Sequence, residues 1–262
     1  MGVRDITSSQ ARVDHIREQG ISTGIIHLLP LNLKSLTATK EFADGVKKIT
    51  NRIDLLINNA GIMMTPFECT EDGFESHFQV NYLSHFLLTL LLLPVLKRTG
   101  MEWDRSSRII NTTSAYHHAG SIDFRDLEMR SIYAPPKCYF DSKLCQILFT
   151  KQLEKILQQD NAKVHAYAVH PGAIPTELWS QAGGIHKCIS CVLKYLLPDA
   201  EGGADAIIHA ALSNKLENKS GAYLERFKIA DTSCEANSVC DQVLLWDRST
   251  YLCKANLGGS LN

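Results

Sequence analysis

The sequence predicts an α/β fold in which helices cover both faces of a doubly wound parallel sheet. The first observation is that several short runs are apolar throughout, as strands buried on both faces are. The second is that longer segments with helical spacing of apolar residues separate these runs. The chain has 262 residues, 45% of them hydrophobic, and no repeat or linker divides it. Residues 1–262 are therefore predicted to form a single domain.

Helices and strands alternate along the chain. Helical patterns cover residues 7–19, 34–49, 72–98, 136–158 and 199–214. Strand patterns, each a short apolar run ending at turn-forming residues, cover 24–29, 54–57, 108–111, 164–169 and 221–224. In the second helix, Leu36, Phe42 and Val46 define an apolar face. This alternation is typical of a parallel sheet whose strands are joined by crossover helices.

Composition and length exclude several classes of protein. With 27 basic and 28 acidic residues and a net charge of −1, the chain has no overall electrostatic preference for nucleic acid. Residues 1–10 contain no apolar run and thus no signal peptide, so free thiols are expected at the eight cysteines. The longest apolar stretch, 86–96, is shorter than the roughly 20 residues that span a bilayer. It predicts a buried core helix and no transmembrane segment.

Small or amide residues follow three of the predicted strands. These clusters are residues 58–61, 111–114 and 171–172. Ligands of doubly wound sheets bind beyond the carboxyl ends of the strands, and small residues let a ligand approach the backbone closely. One such cluster is an ordinary turn, but three together predict a binding cleft.

Tyr139 and Lys143 form the candidate chemical centre. Four residues apart on a helix, they share a face. A phenol with a pKa near 10 is a poor proton donor at neutral pH, and an adjacent ammonium group would lower that pKa. The alternative is a structural pair, because this spacing is common by chance. The hydroxyl of Ser114, at the end of the preceding strand, favours the acid/base interpretation.

Five motifs resemble those of the short-chain dehydrogenase/reductase family and follow the family's order. They are Asn58-Asn59-Ala60-Gly61, Asn81, Ser114, Tyr139-x-x-x-Lys143 and Pro171-Gly172-x-x-x-Thr176. Within the family, segments 58–64, 72–78 and 81–86 and the long insert between Ser114 and Tyr139 are most similar to the retinol dehydrogenase, WW-domain oxidoreductase and X-linked dehydrogenase/reductase group. The resemblance implies a Rossmann-like fold and hydride transfer between a nicotinamide cofactor and an alcohol or carbonyl substrate.

The resemblance also implies a role for each catalytic candidate. Tyr139 would be the general acid in carbonyl reduction or the base in alcohol oxidation. Ser114 would hydrogen-bond the substrate oxygen, and Lys143 would lower the pKa of Tyr139 and bind the nicotinamide ribose. Asn81 would hold a water in a proton relay to Lys143. The alternative for Asn81 is a buried amide that satisfies backbone groups of a helix.

Cofactor contacts are implied in the same way. The residues expected beside the adenosine ribose are Asn59, Ala60 and Gly61. The nicotinamide end would be held by Pro171, Gly172 and Thr176, with Thr176 bonding the carboxamide.

The adenine side carries the expected cofactor preference. Asn32 and Leu33 stand where the family contacts adenine, although the family usually has Asp in place of Asn32. Arg4 corresponds to a basic residue that recognises a 2′-phosphate, which favours NADP(H) over NAD(H). An exposed arginine without that role is the alternative.

The sequence departs from the family at its start. The family's first strand is followed by a Gly-rich turn and a helix that receives the pyrophosphate on its N-terminus. Here Gly2, Gly20 and Gly24 are the only nearby glycines, and none follows a strand and opens a helix. Residues 1–5 resemble the end of the family's second strand, so the first strand, turn and first helix are expected to be missing. Their neighbours would then have unpaired backbone groups beside an open groove.

Two explanations for this start stay open. One is a truncated, alternatively spliced or incompletely annotated form of a normal enzyme, and the other is a short form that no longer catalyses. The first predicts an oxidoreductase acting on an apolar alcohol or carbonyl compound, such as a retinoid, steroid or polyprenoid, in lipid metabolism. The second predicts an impaired protein that acts only through protein association or has no function. In both cases this chain is expected to bind cofactor poorly.

Several other features carry weaker predictions. Trp179 and residues 185–197 follow Thr176, where the family has a substrate lid, and a core-packing helix is the alternative. The apolar patch 188–197 also suits contact with an intracellular membrane surface by an otherwise cytoplasmic protein. Helices 72–98 and 136–158 are those that pair subunits in this family, so a homodimer is expected.

The chain also contains a pair of adjacent histidines and a pair of closely spaced cysteines. His117 and His118 suit either the substrate pocket or the loop surface, and no metal site is expected. Cys188 and Cys191 have redox-motif spacing, but two thiols on an apolar helix are the favoured interpretation.

Overall fold

The strands form two separate sheets that are not hydrogen-bonded to each other within the described part of the chain. The structure is a computed structural model that describes residues 1–21, 23–103, 105–127, 133–172 and 200–259. In the first sheet, β1 (Gly2–Val3) pairs in parallel with β2 (Leu29–Pro30). The second has the order β3-β4-β5-β6-β7. Its strands are β3 (Leu55–Asn58), β4 (Ser107–Thr112), β5 (Val164–His170), β6 (Tyr223–Glu225) and β7 (Lys228–Ile229). All pairs are parallel except β6 with β7, which confirms the predicted α/β class.

The helices mostly lie where the sequence predicts them. They are α1 (Ile6–Glu18), α2 (Leu36–Ile49), α3 (Ser76–Phe78), α4 (Ser84–Glu102), α5 (Pro135–Gln159), α6 (Ala200–Leu212) and α7 (Val239–Asn256). A π-helical turn, Gln79–Leu83, joins α3 to α4. In place of the predicted helix 72–98, the structure has three connected helical pieces that together span 76–102. This span begins and ends about four residues after the predicted one.

The predicted strand 24–29 is wrong except at its last residue. Gly24 has a φ of +76°, which an extended strand does not use. The Arg17 guanidinium donates to the carbonyl oxygens of Ile21, Thr23 and Gly24 at 2.6–2.9 Å. Because a side chain takes these acceptors, they form no ladder with a partner strand. Ile25 is accordingly 84% exposed.

Helix α7 was missed by the sequence reasoning, although it carries a recognisable start. The Ser238 side chain accepts a hydrogen bond from the backbone N–H of Asp241, the N-cap arrangement that Ser-x-x-Asp indicates. Trp246 of α7 packs against Phe86 of α4 and Phe149 of α5, with ring centroids 5.1 and 6.0 Å apart. Helix α7 thus covers part of the α4–α5 surface from within the chain. A homodimer through those helices stays a prediction.

Helices α4 and α5 form the main core on one face of the larger sheet. Segment Ser76–Glu102 is long and apolar enough to cross a membrane by length and composition, but 89% of its most apolar window is buried inside the protein. Such burial is typical of a core helix. Residues 86–96 lie almost entirely within it, which confirms the predicted buried helix.

Strand β3 lies at an edge of the larger sheet, and one of its faces is bare. Leu56 is buried in the main core, whereas Leu55 and Ile57, on the opposite face, are 37% and 44% exposed. Their register partners on β4, Arg108 and Ile110, are buried on that face. Helix α6 explains the difference, because the apolar cluster that it forms with the sheet includes described residues of β4, β5 and β6 but none of β3. The groove expected where the family's first strand and helix would lie stays a prediction.

Candidate active site

One cavity of about 820 Å³ lies at the carboxyl ends of strands from both sheets. The predicted site residues that line it are Arg4, Asn32, Leu33, Asn59, Ala60, Gly61, Ser114, Tyr139, Lys143, Pro171 and Gly172. Thr176, Trp179 and the apolar patch 185–197, with Cys188 and Cys191, lie outside the described residues. The strand-end clusters thus meet at one cleft, as the parallel topology requires.

Tyr139 lies on α5 and Ser114 follows β4, so the two meet across the sheet's end. Tyr139 is 5% exposed. Burial raises its pKa to about 12, although a hydrogen bond with Ser114 opposes the rise. The Ser114 hydroxyl oxygen also accepts from the backbone N–H of Tyr116 at 3.3 Å, and the Tyr116 ring lies 6.3 Å from that of Tyr139. Tyr139 is therefore a protonated phenol at neutral pH in this arrangement.

Lys143 lies one turn further along α5. It lines the cavity together with Ser114 and Tyr139, and these three residues form the catalytic wall. Its Nζ donates to the carbonyl oxygen of Thr112 at 3.2 Å and lies 5.5 Å from the centre of the Tyr139 ring. Burial lowers the pKa of Lys143 to about 8. The predicted lowering of the Tyr139 pKa by this lysine is not the outcome in this geometry. Desolvation dominates both groups and moves each towards its neutral form.

Asn81 connects three elements from the π-helical turn. Its Oδ1 accepts from the Ile62 backbone N–H at 2.8 Å, and its Nδ2 donates to the Ile62 carbonyl and to the Ser142 hydroxyl, each at 2.9 Å. The Asn81 carbonyl oxygen accepts from the side chains of Gln146 and His85. The side chain thus fastens the loop after β3 to α5. The predicted water relay to Lys143 remains a prediction.

Gly61 lies close to the side chains of Asn81 and Lys143. A Cβ at this position would lie 3.1 Å from Asn81 Oδ1 and 3.5 Å from Lys143 Nζ. A Cβ here would therefore require the Asn81 side chain to move by a few tenths of an ångström. Close approach to the catalytic wall is the physical reason for glycine at the end of the Asn-Asn-Ala-Gly run.

Three basic side chains line the end of the cavity beside the small sheet: Arg4, Arg12 and Lys34. Lys34 is paired with Glu68 at 2.5 Å. Arg12 was missed by the sequence reasoning because it lies on the exposed face of a polar helix, where nothing sets it apart. Asn32 Oδ1 accepts from the Lys34 backbone N–H at 3.1 Å, and its side chain shapes the turn after β2.

Other wall residues were also missed. Met63, Val80, Tyr116 and His170 line the cavity, and Tyr116 could have been found from its place two residues after Ser114. His117, in contrast, is fully buried and does not line the cavity, so it takes neither place predicted for it. Among the described residues, no group of three or more His, Cys, Asp or Glu side chains could hold a metal ion.

The residues present fit the two ends of a nicotinamide adenine dinucleotide better than its middle. Gly61 and Gly172 leave the backbone open beside Lys143, and Gly172 has a φ of +100° that favours glycine. At the other end the basic side chains suit phosphate. The N-terminus of α1, however, is capped by the Asp5 carboxylate, which accepts from the N–H groups of Thr7 and Ser8 at 2.9 and 3.4 Å. Those amides are therefore not offered to a pyrophosphate.

The comparisons with known proteins agree with the geometry. The family model described as short chain dehydrogenase matches residues 3–183. Mouse polyprenol dehydrogenase is 39% identical over 235 residues, which are 89% of this chain and 70% of that protein. Human retinol dehydrogenase 12 is 36% identical over 253 residues, 95% of this chain and 76% of that protein.

Solved structures share the fold. An uncharacterised protein from Mycobacterium paratuberculosis superposes with a TM-score of 0.73 and 29% identity, over 97% of this chain and 83% of that one. The NADPH-bound carbonyl reductase from chicken fatty liver superposes with a TM-score of 0.60 and 23% identity, over 88% and 86% of the two chains. The second likeness concerns the fold alone.

Proposed function

Because this chain belongs to the short-chain dehydrogenase/reductase family, we propose that it transfers a hydride between NADP(H) and an apolar alcohol or carbonyl compound of the retinoid, steroid or polyprenoid class. Oxidoreductase chemistry with a nicotinamide cofactor follows from family membership. The preference for NADP(H) over NAD(H) and the substrate class are what we propose.

The observation that carries the proposal is the convergence of Ser114, Tyr139 and Lys143 on one cavity wall. The Tyr139 hydroxyl would donate its proton to the substrate oxygen as the carbonyl is reduced. The Ser114 hydroxyl would donate a hydrogen bond to the same oxygen and stabilise its developing charge. When bound, the cofactor supplies the hydride.

The electrostatics of the wall support carbonyl reduction at neutral pH. Reduction needs a protonated phenol, and burial keeps Tyr139 in that form by raising its pKa to about 12. Alcohol oxidation would need the phenolate, which a nearby positive charge must stabilise. The Lys143 ammonium is the buried cation of this wall, and its own pKa is lowered to about 8. At higher pH Lys143 loses this charge before the Tyr139 phenol ionises, so this arrangement favours reduction over oxidation.

The substrate class is supported by the wall and by the relatives. Met63, Val80 and the exposed ring of Tyr116 line the cavity near Tyr139. An apolar lining binds an apolar substrate by removing its surface from water. The relatives at 36–39% identity are named for polyprenol and retinol. NADP(H) is supported by Arg4 and Arg12, because arginine is suited to a 2′-phosphate.

A catalytically impaired protein is the second candidate, and the open β3 edge favours it. The described lining of the cavity includes no Gly-rich turn that would hold a pyrophosphate. Weak binding of the pyrophosphate would leave the catalytic wall formed but seldom used. Such a protein would act only through association with other proteins, or not at all.

Turnover of all-trans-retinal with NADPH separates the two candidates. The parent chain, a Tyr139→Phe variant and a Tyr251→Phe control are compared; Tyr251 lies on α7 with 61% of its surface exposed. We expect oxidation of NADPH by the parent and the control, and a loss of roughly 10²- to 10⁴-fold in the Tyr139 variant. Equal residual rates in all three folded proteins would contradict the proposal and favour the impaired form.

Location and partners remain expectations. We propose a small-molecule substrate, a cytoplasmic location with contact to an intracellular membrane surface, and a homodimer. Sedimentation of the protein with liposomes tests the membrane contact. A fully active protein that does not sediment with the liposomes would contradict the proposed membrane contact.

A further inference from the structure

His117 is a fully buried histidine with a different partner on each ring nitrogen. Nδ1 lies 2.8 Å from the carbonyl oxygen of Ser114, and Nε2 lies 3.3 Å from the backbone nitrogen of Ser233. The side chain is 0% exposed. It therefore connects the turn after β4 to a segment more than a hundred residues later, between β7 and α7.

The two partners specify one protonation state. A backbone N–H donates, so Nε2 must be the acceptor for Ser233 and carries no proton. A carbonyl oxygen accepts, so Nδ1 must carry the proton and donate to Ser114. A doubly protonated ring would face the Ser233 N–H with a second donor. The hydrogen bonds thus hold the ring as the neutral Nδ1–H tautomer.

The surroundings of the ring favour the same neutral form. The Tyr223 ring of β6 packs edge-on at 4.9 Å, and the exposed neighbour His118 lies at 4.0 Å. The charged or titratable groups around it, besides His118, are His170 on β5 and Lys151 on α5. Burial, helped by these groups, lowers the pKa of His117 to about 4, although the Ser114 hydrogen bond opposes the shift.

Ser114 depends on this contact for its backbone orientation. Its extended backbone, with φ −149° and ψ 154°, ends β4 and caps the short helical turn Ala115–Ala119. Its carbonyl oxygen accepts from both the His117 ring and the His117 backbone N–H, the latter at 3.0 Å. Fixing the carbonyl fixes the Ser114 backbone, and the hydrogen bond from the Tyr116 backbone N–H then holds the hydroxyl oxygen in one rotamer beside Tyr139.

We propose that His117 is a positioning residue that anchors Ser114 to the Ser233 segment and so holds the Ser114 hydroxyl in the orientation that catalysis requires. The effect on turnover rests on the proposed function, whereas the anchoring itself does not. The C-terminal part of the chain thereby contributes to the geometry of the catalytic wall without touching the substrate.

Three variants separate the two hydrogen bonds. His117→Asn places an amide N–H near the Nδ1 position and keeps only the bond to Ser114. His117→Gln reaches the Nε2 position and keeps only an acceptor for Ser233, and His117→Phe removes both. His118→Gln is the control, because His118 is the exposed neighbour in the same turn.

Nuclear magnetic resonance tests the anchoring without turnover. Imidazole ¹⁵N shifts of the parent at pH 7 should show the Nδ1–H tautomer at His117. The Ser114 carbonyl ¹³C resonance should stay in the Asn variant and move in the Gln variant. Hydrogen exchange at the Ser233 amide should quicken in the Asn variant and stay slow in the Gln variant. An Nε2–H or doubly protonated ring, or a Ser114 resonance unmoved in every variant, would overturn the anchoring.

Turnover then tests its consequence. The kcat of the Asn variant should stay within about threefold of the parent, whereas that of the Gln variant should fall by roughly 10- to 100-fold with an unchanged KM. Equal kcat in the two variants would overturn the positioning role. If the parent has no turnover, the proposed function fails, and the resonance measurements alone decide whether His117 anchors Ser114. Should the Phe variant not fold, the crossed Asn and Gln results still decide the outcome.

Discussion

The catalytic wall and the N-terminal region, residues 1–30, differ in how deeply their residues are buried. Asn81, Ser114, Tyr139 and Lys143 are all at least 94% buried, on elements that belong to the main sheet and core. In the N-terminal region, α1 buries only Val13, and β1 and β2 form a separate two-residue ladder. The chemistry is thus preorganised by packing, whereas the nucleotide end depends on a region with little core of its own.

This difference teaches that catalytic geometry and cofactor affinity are separable in this fold. Hydrogen bonds from Asn81 and His117 fix the wall through parts of the chain far from residues 1–30. A two-stranded ladder, in contrast, is marginal by itself and depends on packing, here against α2. Perturbing each region should therefore give effects of different kind and size.

The largest expected difference is in core packing. Phe86→Ala should lower the free energy of unfolding by about 3–5 kcal/mol, because it removes a fully buried ring from the contacts among α4, α5 and α7. Val13→Ala removes two methyl groups and should cost no more than about 1.6 kcal/mol. Urea unfolding followed by circular dichroism measures both. Equal losses would mean that the N-terminal region is as tightly packed as the core.

Acid should destabilise the catalytic half through its buried histidines. Burial lowers the pKa of His85 to about 3 and that of His117 to about 4, from an ordinary 6.5. Below pH 6.5 the unfolded chain binds protons that the folded chain does not, so stability falls as the pH falls towards 4. The slope should reach about 1.4 kcal/mol per pH unit for each histidine.

Urea unfolding between pH 7 and pH 4 checks this dependence. His117→Asn should reduce the slope, because it removes one titrating ring and keeps the bond to Ser114. His15→Gln, in the exposed helix α1, serves as the control. A parent whose stability is flat over this range would contradict the buried neutral histidines.

Asn81→Ala should have an intermediate effect. It leaves the N–H and carbonyl groups of Ile62 and the Ser142 hydroxyl without their partner. Unsatisfied buried groups cost about 1–3 kcal/mol, and the turnover rate should fall because the loop beside Lys143 is released. Asn218→Ala, at an exposed position, should change neither quantity. Normal stability in the Asn81 variant would argue against its role as a connector.

The smallest effect is expected at the cap of α1. Asp5→Ala removes the acceptor for the N–H groups of Thr7 and Ser8, so the first turn of α1 should fray. Hydrogen exchange should quicken there and remain unchanged in α4 and α5. Faster exchange in the core helices would show that the two regions are coupled after all.

Much of the fold was predictable because long helices and buried parallel strands carry strong patterns. Helix α5 and strands β4 and β5 were all predicted within one residue at each end. Segment 24–29 looked equally apolar, but Gly24 has a positive φ and its carbonyl oxygen accepts a hydrogen bond from Arg17. The apolar pattern of the segment does not reveal this hydrogen bond between a side chain and the backbone.

Some features of the candidate site were likewise predictable from the sequence and others were not. Residues at strand ends were found because parallel topology brings them together, and the motifs gave their chemistry. The role of His117 was not predictable, because its second partner, Ser233, lies 116 residues away. The protonation preferences of Tyr139 and Lys143 depend on burial rather than on their spacing, so they too required the structure.

The most direct test of the separation is a fluorescence titration of the purified chain with NADPH and NADH. We predict that neither reaches saturation at low micromolar concentration, because the described lining of the cavity offers the pyrophosphate no Gly-rich turn. NADPH should still bind more tightly than NADH, through Arg4 and Arg12. Saturation by either cofactor at low micromolar concentration would contradict the account.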